Sequence, residues 1–149
     1  MPPQPQKIDL TTLEPRHLVA LKEQIEEELQ NFAQSSITLQ KAAGEFGTSG
    51  RSLESLSEQK EGQPMLMPLT SSVYVAAEVA SVKTVLLDVG TGYYIEKSPK
   101  EGVEYCRRKV QMLKDSLDKI GQIMRDKQQQ LQIINTEYNA RARAQQQRA

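Results

Sequence analysis

Tryptophan is absent from the 149 residues, aromatic residues make up 5%, and Cys106 is the only cysteine. One cysteine excludes an intrachain disulfide. One histidine, His17, with no second His or Cys at ligand spacing, leaves no zinc-type ligand set. Lys and Arg balance Asp and Glu at 19 each, so no global field draws the chain to nucleic acid or to a membrane surface. No apolar run approaches the roughly 18 residues of a membrane span. The start, MPPQPQKIDL, lacks the apolar stretch of a secretory signal. No constellation of nucleophile, base and acid stands out. The expectation is a protein of the cytoplasm, with a nuclear presence also open, that is not an enzyme and carries no cofactor or metal.

Proline is missing from two long stretches. The seven prolines fall at 2, 3, 5, 15, 64, 68 and 99. Proline lacks an amide hydrogen and clashes with the preceding helical turn, so 16–63 and 100–149 are free to be long helices. Both carry a seven-residue repeat. Leu18, Ile25, Phe32, Leu39, Phe46 and Leu53 are spaced by seven, and so are Val103, Val110, Leu117, Met124, Leu131 and Tyr138. The companion d positions are mostly apolar: Leu21, Ala42 and Leu56 in the first helix, and Cys106, Leu113, Ile120 and Ile134 in the second. Glu28, Ser35, Ser49 and Lys127 are the exceptions. Sustained heptads with charges between them predict coiled coil. Ser98-Pro99-Lys100-Glu101 fits a capping box opening the second helix. Gly44, Gly47 and Gly50 weaken the first helix, but Phe46 and Leu53 keep its register.

Between the helices the period changes to two. Val73, Val75, Ala77 and Val79 alternate with Tyr74, Ala76 and Glu78, and Val85, Leu87 and Val89 alternate with Leu86 and Asp88. That pattern predicts four strands, about 65–69, 73–79, 82–89 and 93–97. Thr70-Ser71-Ser72 supplies one turn and Gly90-Thr91-Gly92 the other. The run DVGTG also has the form of a phosphate-binding loop, in which glycines expose backbone amides to an anion. Strand alternation continues on both sides of it, through Val89 and then Tyr93 and Ile95, so a hairpin turn is the expected reading.

The predicted fold is α+β: helix 15–60, two β-hairpins in 61–98, helix 99–143, with 1–9 and 144–149 expected to be disordered. A chain that runs up one helix and back down another of equal length pairs them antiparallel, placing Leu53 near Val103 and Leu18 near Tyr138. Residues 1–96 hold 7 basic and 13 acidic residues and residues 97–149 hold 12 and 6, which favours that pairing modestly. Four short strands with apolar residues on both faces and no helix of their own to cover them expose edges that monomers avoid. The expectation is an oligomer in which the hairpins join a shared β-barrel.

The stretch MPLTSSVYVAAEV…VLLDVGTGYYIEK, Met67 to Lys97, is similar to the prefoldin family, and within it to the α-type subunits, which carry two hairpins where β-type subunits have one. The resemblance runs over roughly residues 10 to 140. Ala76-Ala77 stand where such sequences tend to have proline and glycine. The resemblance implies a heterohexamer with one further α-type and four β-type subunits, capture of unfolded actin and tubulin without ATP, and transfer to the group II chaperonin of the cytosol.

Two surfaces are candidate sites. Assembly is expected to use Leu69, Val73, Tyr74, Val75, Val85, Leu87, Val89, Tyr93 and Ile95, with Gly90 and Gly92 forming the turn. At the far ends of the helices, Ile8, Leu10, Leu13 and Val19, and Ile133, Ile134 and Tyr138, exceed what a single seam requires. They are the candidate client-binding residues. A coiled-coil scaffold or transcription-linked adaptor, assembling through the same hairpins, is the alternative function.

Overall fold

The computed structural model describes residues 12–147. The element order is α1 (Pro15–Ser57), β1 (Pro64–Pro68), β2 (Tyr74–Glu78), β3 (Val85–Gly90), β4 (Tyr93–Lys97) and α2 (Pro99–Gln146). Helix α2 runs past residue 143 to Gln146, and α1 stops at Ser57, three residues short of the boundary expected from the repeat. Residues 144–146, expected to be disordered, are helical. Their composition, Ala-Gln-Gln, favours helix and contains no breaker. Residues 1–9 lie outside the described residues.

Both helix starts follow from local chemistry. Pro15 occupies the first turn of α1, where its missing amide hydrogen costs nothing, and the Glu14 carbonyl accepts from His17 and Leu18. At α2 the Ser98 and Glu101 side chains cap reciprocally. Glu101 N–H donates to Ser98 Oγ at 3.2 Å, and Ser98 N–H donates to Glu101 Oε2 at 3.0 Å. The bond from Ser98 N–H, then one from the Ser98 hydroxyl to the same oxygen, and Lys97 nearby hold the Glu101 carboxyl below its ordinary range. Helix α1 passes through Gly44, Gly47 and Gly50 without a break.

The described residues divide into two compact units, 12–38 with 116–147 and 39–115. In the first, the helical segments run antiparallel. Leu18 and Ile134, 0% and 3% exposed, form its core with Ile25, packed by Leu13, Leu21, Leu29 and Leu131. In the second unit the ends of α1 and α2 are again antiparallel. The Phe46 and Tyr105 rings meet edge-on with centroids 6.3 Å apart. A Cβ built on Gly50 would sit 3.5 Å from that of Cys106. The stripe that α1 buries is not strictly a/d. Ser35 and Ser49 are exposed, while their e neighbours Ser36 and Gly50 are half-buried. A 3.6-residue helix drifts against a seven-residue repeat by about 20° per heptad, and small e residues accommodate that drift.

The strands form two separate antiparallel hairpins, β1–β2 and β3–β4. In the first, Met67 faces Val75 and Met65 faces Ala77. In the second, Leu87 faces Ile95 and Asp88 faces Tyr94, with a bulge before Gly90.

Candidate assembly and client-binding surfaces

Within its strands the first hairpin is exposed on both faces apart from the half-buried Ala77. Met65, Met67 and Val75 lie on one side and Leu66 and Tyr74 on the other, and all are exposed. Leu69 and Val73 close its turn through an N–H to carbonyl bond of 2.8 Å and are exposed as well. Thr70 Oγ1 accepts from Val73 N–H at 3.1 Å, so a side chain shapes this loop without any glycine.

The second hairpin is different, and here the expectation of strands without a covering helix needs correction. Leu87 is only 9% exposed and Val85 is half-buried. A Cβ on Gly102 of α2 would lie 2.8 Å from Leu53 Cδ1, 3.4 Å from Leu87 Cδ2 and 3.6 Å from Val85 Cγ2. Glycine at 102 lets α2 approach the sheet and cover this face. Val85 and Leu87 therefore belong to the unit's own core. The outward face carries Leu86, 71% exposed, and Tyr94. Ile95 pairs with Leu87 and so lies on the covered face, though it stays partly exposed there, and Val89 and Tyr93 are exposed at the turn. Leu66, Leu86, Tyr94 and the two methionines are exposed here although they are not among the assembly residues expected from sequence. Strand alternation does place Leu86 opposite Leu87, but it cannot say which face is already covered.

The glycine-rich turn is a hairpin turn. Thr91 and Gly92, its two central residues, have φ of 51° and 79°, the positive values a type I′ turn requires. Gly90 N–H donates to Asp88 Oδ1 at 2.9 Å. An amide that a phosphate loop would turn to its anion is thus bonded to a carboxylate.

The candidate client-binding residues separate as well. Ile8 and Leu10 lie outside the described residues. Ile134 is buried and Leu13 half-buried in the first unit's core. Ile133, Val19 and Tyr138 are exposed. Val19 and Tyr138 line a groove of about 270 Å³ with Leu18 and Ile134 at its base and Lys22, Glu23 and Glu26 around it. In the second unit a larger groove of about 700 Å³ lies between α1 and β3, lined by Phe46, Leu53, Leu56, Leu86, Leu87 and Cys106 among others. Burial raises the pKa of the Cys106 thiol, which disfavours the reactive thiolate. Among the described residues no group of three His, Cys, Asp or Glu side chains could hold a metal ion, and no helix is long and apolar enough to cross a membrane.

Two helices flanking a pair of hairpins, with apolar residues turned outward, recur in known proteins. The sequence matches the family described as "Prefoldin subunit" over residues 25–146. It is 34% identical over 122 residues to "Probable prefoldin subunit 5" of Drosophila melanogaster, covering 82% of this chain and 73% of that one. It is 33% identical over 129 residues to "Prefoldin subunit 5" of Homo sapiens, covering 87% and 84%. Against the Arabidopsis thaliana protein of the same name identity is 37% over 106 residues, covering 71% and 70%. The fold is similar to a chain of filamentous PFD from Methanocaldococcus jannaschii, with a TM-score of 0.54 at 20% identity over 82% of this chain and 95% of that one. With the family's sequence pattern and its fold both present, the chain belongs to the prefoldin family.

Proposed function

We propose that this chain is an α-type subunit of a prefoldin hexamer, with one further α-type and four β-type subunits, and that its two hairpins enter a shared β-barrel. The observation that carries this reading is the first hairpin, where Met65, Met67, Val75, Leu66 and Tyr74 are all exposed on a sheet of two strands. A two-stranded sheet is marginal alone, and contiguous exposed apolar area marks an interaction surface. The exposed Val19, Ile133 and Tyr138 of the first unit supply weakly specific apolar contacts for unfolded polypeptide. The clients are unfolded actin and tubulin. They are held without ATP and passed to the group II chaperonin in the cytoplasm.

Co-expression with β-type subunits, followed by native mass measurement, tests assembly. Suppression of aggregation of denatured actin, without nucleotide, tests capture. A hexamer that suppresses aggregation is expected. A monomer that remains well folded overturns the assembly reading, and a hexamer without suppression leaves the scaffold alternative.

A further inference from the structure

The two outer edges of the first hairpin are not equivalent. Leu69 N–H donates to the Val73 carbonyl at one end of the ladder, and Val79 N–H donates to the Gln63 carbonyl at the other, at 2.8 and 3.0 Å. Antiparallel ladders alternate bonded and non-bonded pairs. Counted inward from either end, Met67–Val75 and Met65–Ala77 are the bonded pairs. The backbone groups of Pro64, Leu66 and Pro68 on β1, and of Tyr74, Ala76 and Glu78 on β2, therefore point away from the hairpin. The prolines agree with this count, since neither stands where the ladder needs an amide hydrogen.

Proline has no amide hydrogen to give an adjoining strand. The outer edge of β1 therefore offers one donor, at Leu66, over three outward positions, whereas β2 offers a donor at every one. Among the described residues β1 is the only strand neighbour of β2. The β2 edge lacks the usual guards against pairing, which are lysine, proline or a bulge; Glu78 at its end is its one charge. Val75 and Tyr74 expose apolar side chains on its two faces, so a strand laid alongside would bury apolar area as well as pair its backbone.

We propose that assembly around the first hairpin is asymmetric: a strand of a neighbouring prefoldin subunit is held firmly along β2, and the seam along β1, with Leu66 as its single donor, is the weak one that opens first. This rests on the subunit reading above and adds to it which seam holds and which releases.

Amide hydrogen exchange at single-residue resolution, on the complex co-assembled with β-type subunits and without client, tests it. Protection of the Ala76 and Glu78 amides at least about tenfold greater than that of Leu66 is expected, tenfold corresponding to about one net hydrogen bond. Pro64→Ala restores a donor to the weak seam and should slow subunit exchange, followed by native mass spectrometry, by up to about tenfold on the same basis. Leu66 protected as strongly as Ala76, or exchange unaltered by Pro64→Ala, overturns the asymmetry while leaving the subunit reading intact. Protection of Ala76 that appears only when unfolded client is added assigns the edge to client and overturns it too. A chain that does not co-assemble overturns the subunit reading, and this inference with it.

Discussion

Lys127 Nζ donates to Glu28 Oε2 across the two helical segments of the first unit, joining the charged d-position exception of one helix to that of the other. Both side chains are partly buried, and Gln24 Nε2 donates to the second Glu28 oxygen at 3.1 Å. The bond from Lys127, then that from Gln24, pulls the Glu28 carboxyl below its ordinary range. In a register one heptad away Glu28 would face Ile120 or Ile134, while Lys127 would face Leu21 or Ser35, so the ion pair would be lost and Glu28 would meet an apolar seam residue either way. A polar pair at a seam position is an attested way to specify register.

Reversing either charge alone, Glu28→Lys or Lys127→Glu, should lower the thermal midpoint, and the double reversal should recover most of the loss. Because the folded pKa of Glu28 is depressed, its contribution is present above the ordinary carboxylate range and is lost as pH falls through the lower folded value. Glu28→Gln should flatten the stability-against-pH curve in that acid window. An unchanged acid slope, or a double reversal no better than either single one, would remove the pair as a register device.

Neighbouring isoleucines should behave oppositely. Ile134 is 3% exposed and Ile133 is 51% exposed. Ile134→Ala should cost about 2–5 kcal/mol in denaturant unfolding. Ile133→Ser should stay within about 0.5 kcal/mol yet weaken capture of denatured client. Equal stability losses would contradict the placement, and unimpaired capture by Ile133→Ser would remove it from the client surface.

The second hairpin allows a similar comparison between adjacent residues. Leu86→Asp, on the outward face, should leave the helical circular dichroism of the unassembled chain as in the wild type but impair co-assembly in size-exclusion chromatography. Leu87→Asp buries an unpaired carboxylate under α2, at a cost of roughly several kcal/mol, and should lose helical circular dichroism in the chain itself. If Leu86→Asp co-assembles normally, that face is not an interface.

Thr91, a β-branched residue at φ 51°, carries left-handed strain of about 1–2 kcal/mol. Asparagine tolerates that region, and Asn-Gly is the preferred type I′ pair. Thr91→Asn should therefore stabilise the assembled protein by up to about 1 kcal/mol, read from its denaturation midpoint. Destabilisation would mean the threonine hydroxyl or methyl makes a contact that outweighs the strain.

Two helical glycines should respond with opposite sign. A Cβ at Gly44 meets nothing within 4 Å, so Gly44→Ala should stabilise by about 1 kcal/mol through helix propensity. At Gly102 the added carbon falls 2.8 Å from Leu53 Cδ1. Leu53 can shift its flexible end for alanine, which offsets the propensity gain. Gly102→Val presses on Leu87 and Val85 too and should cost about 1–3 kcal/mol. A neutral Gly102→Val would show that α2 and β3 separate easily.

Sequence by itself determined what is local in this protein. The heptads of α1 and α2, the Ser98–Glu101 box and the alternation around Gly90-Thr91-Gly92 each act within a few residues, through backbone bonding or side-chain period, so they are legible in order along the chain. Met67 to Lys97 carried the family pattern for the same reason. Tertiary structure decided which apolar residues remain outside. Leu87 is covered and Leu86 is not because Gly102, fifteen residues beyond Leu87, lets a helix close on one face. Ile134 is buried and Ile133 is exposed because Leu18 and Ile25 of the other helix meet only one side of α2. Glu28 and Lys127 look like separate flaws in two repeats until the pairing register brings them together. Periodicity states which residues share a face; only contacts between distant segments settle what that face meets.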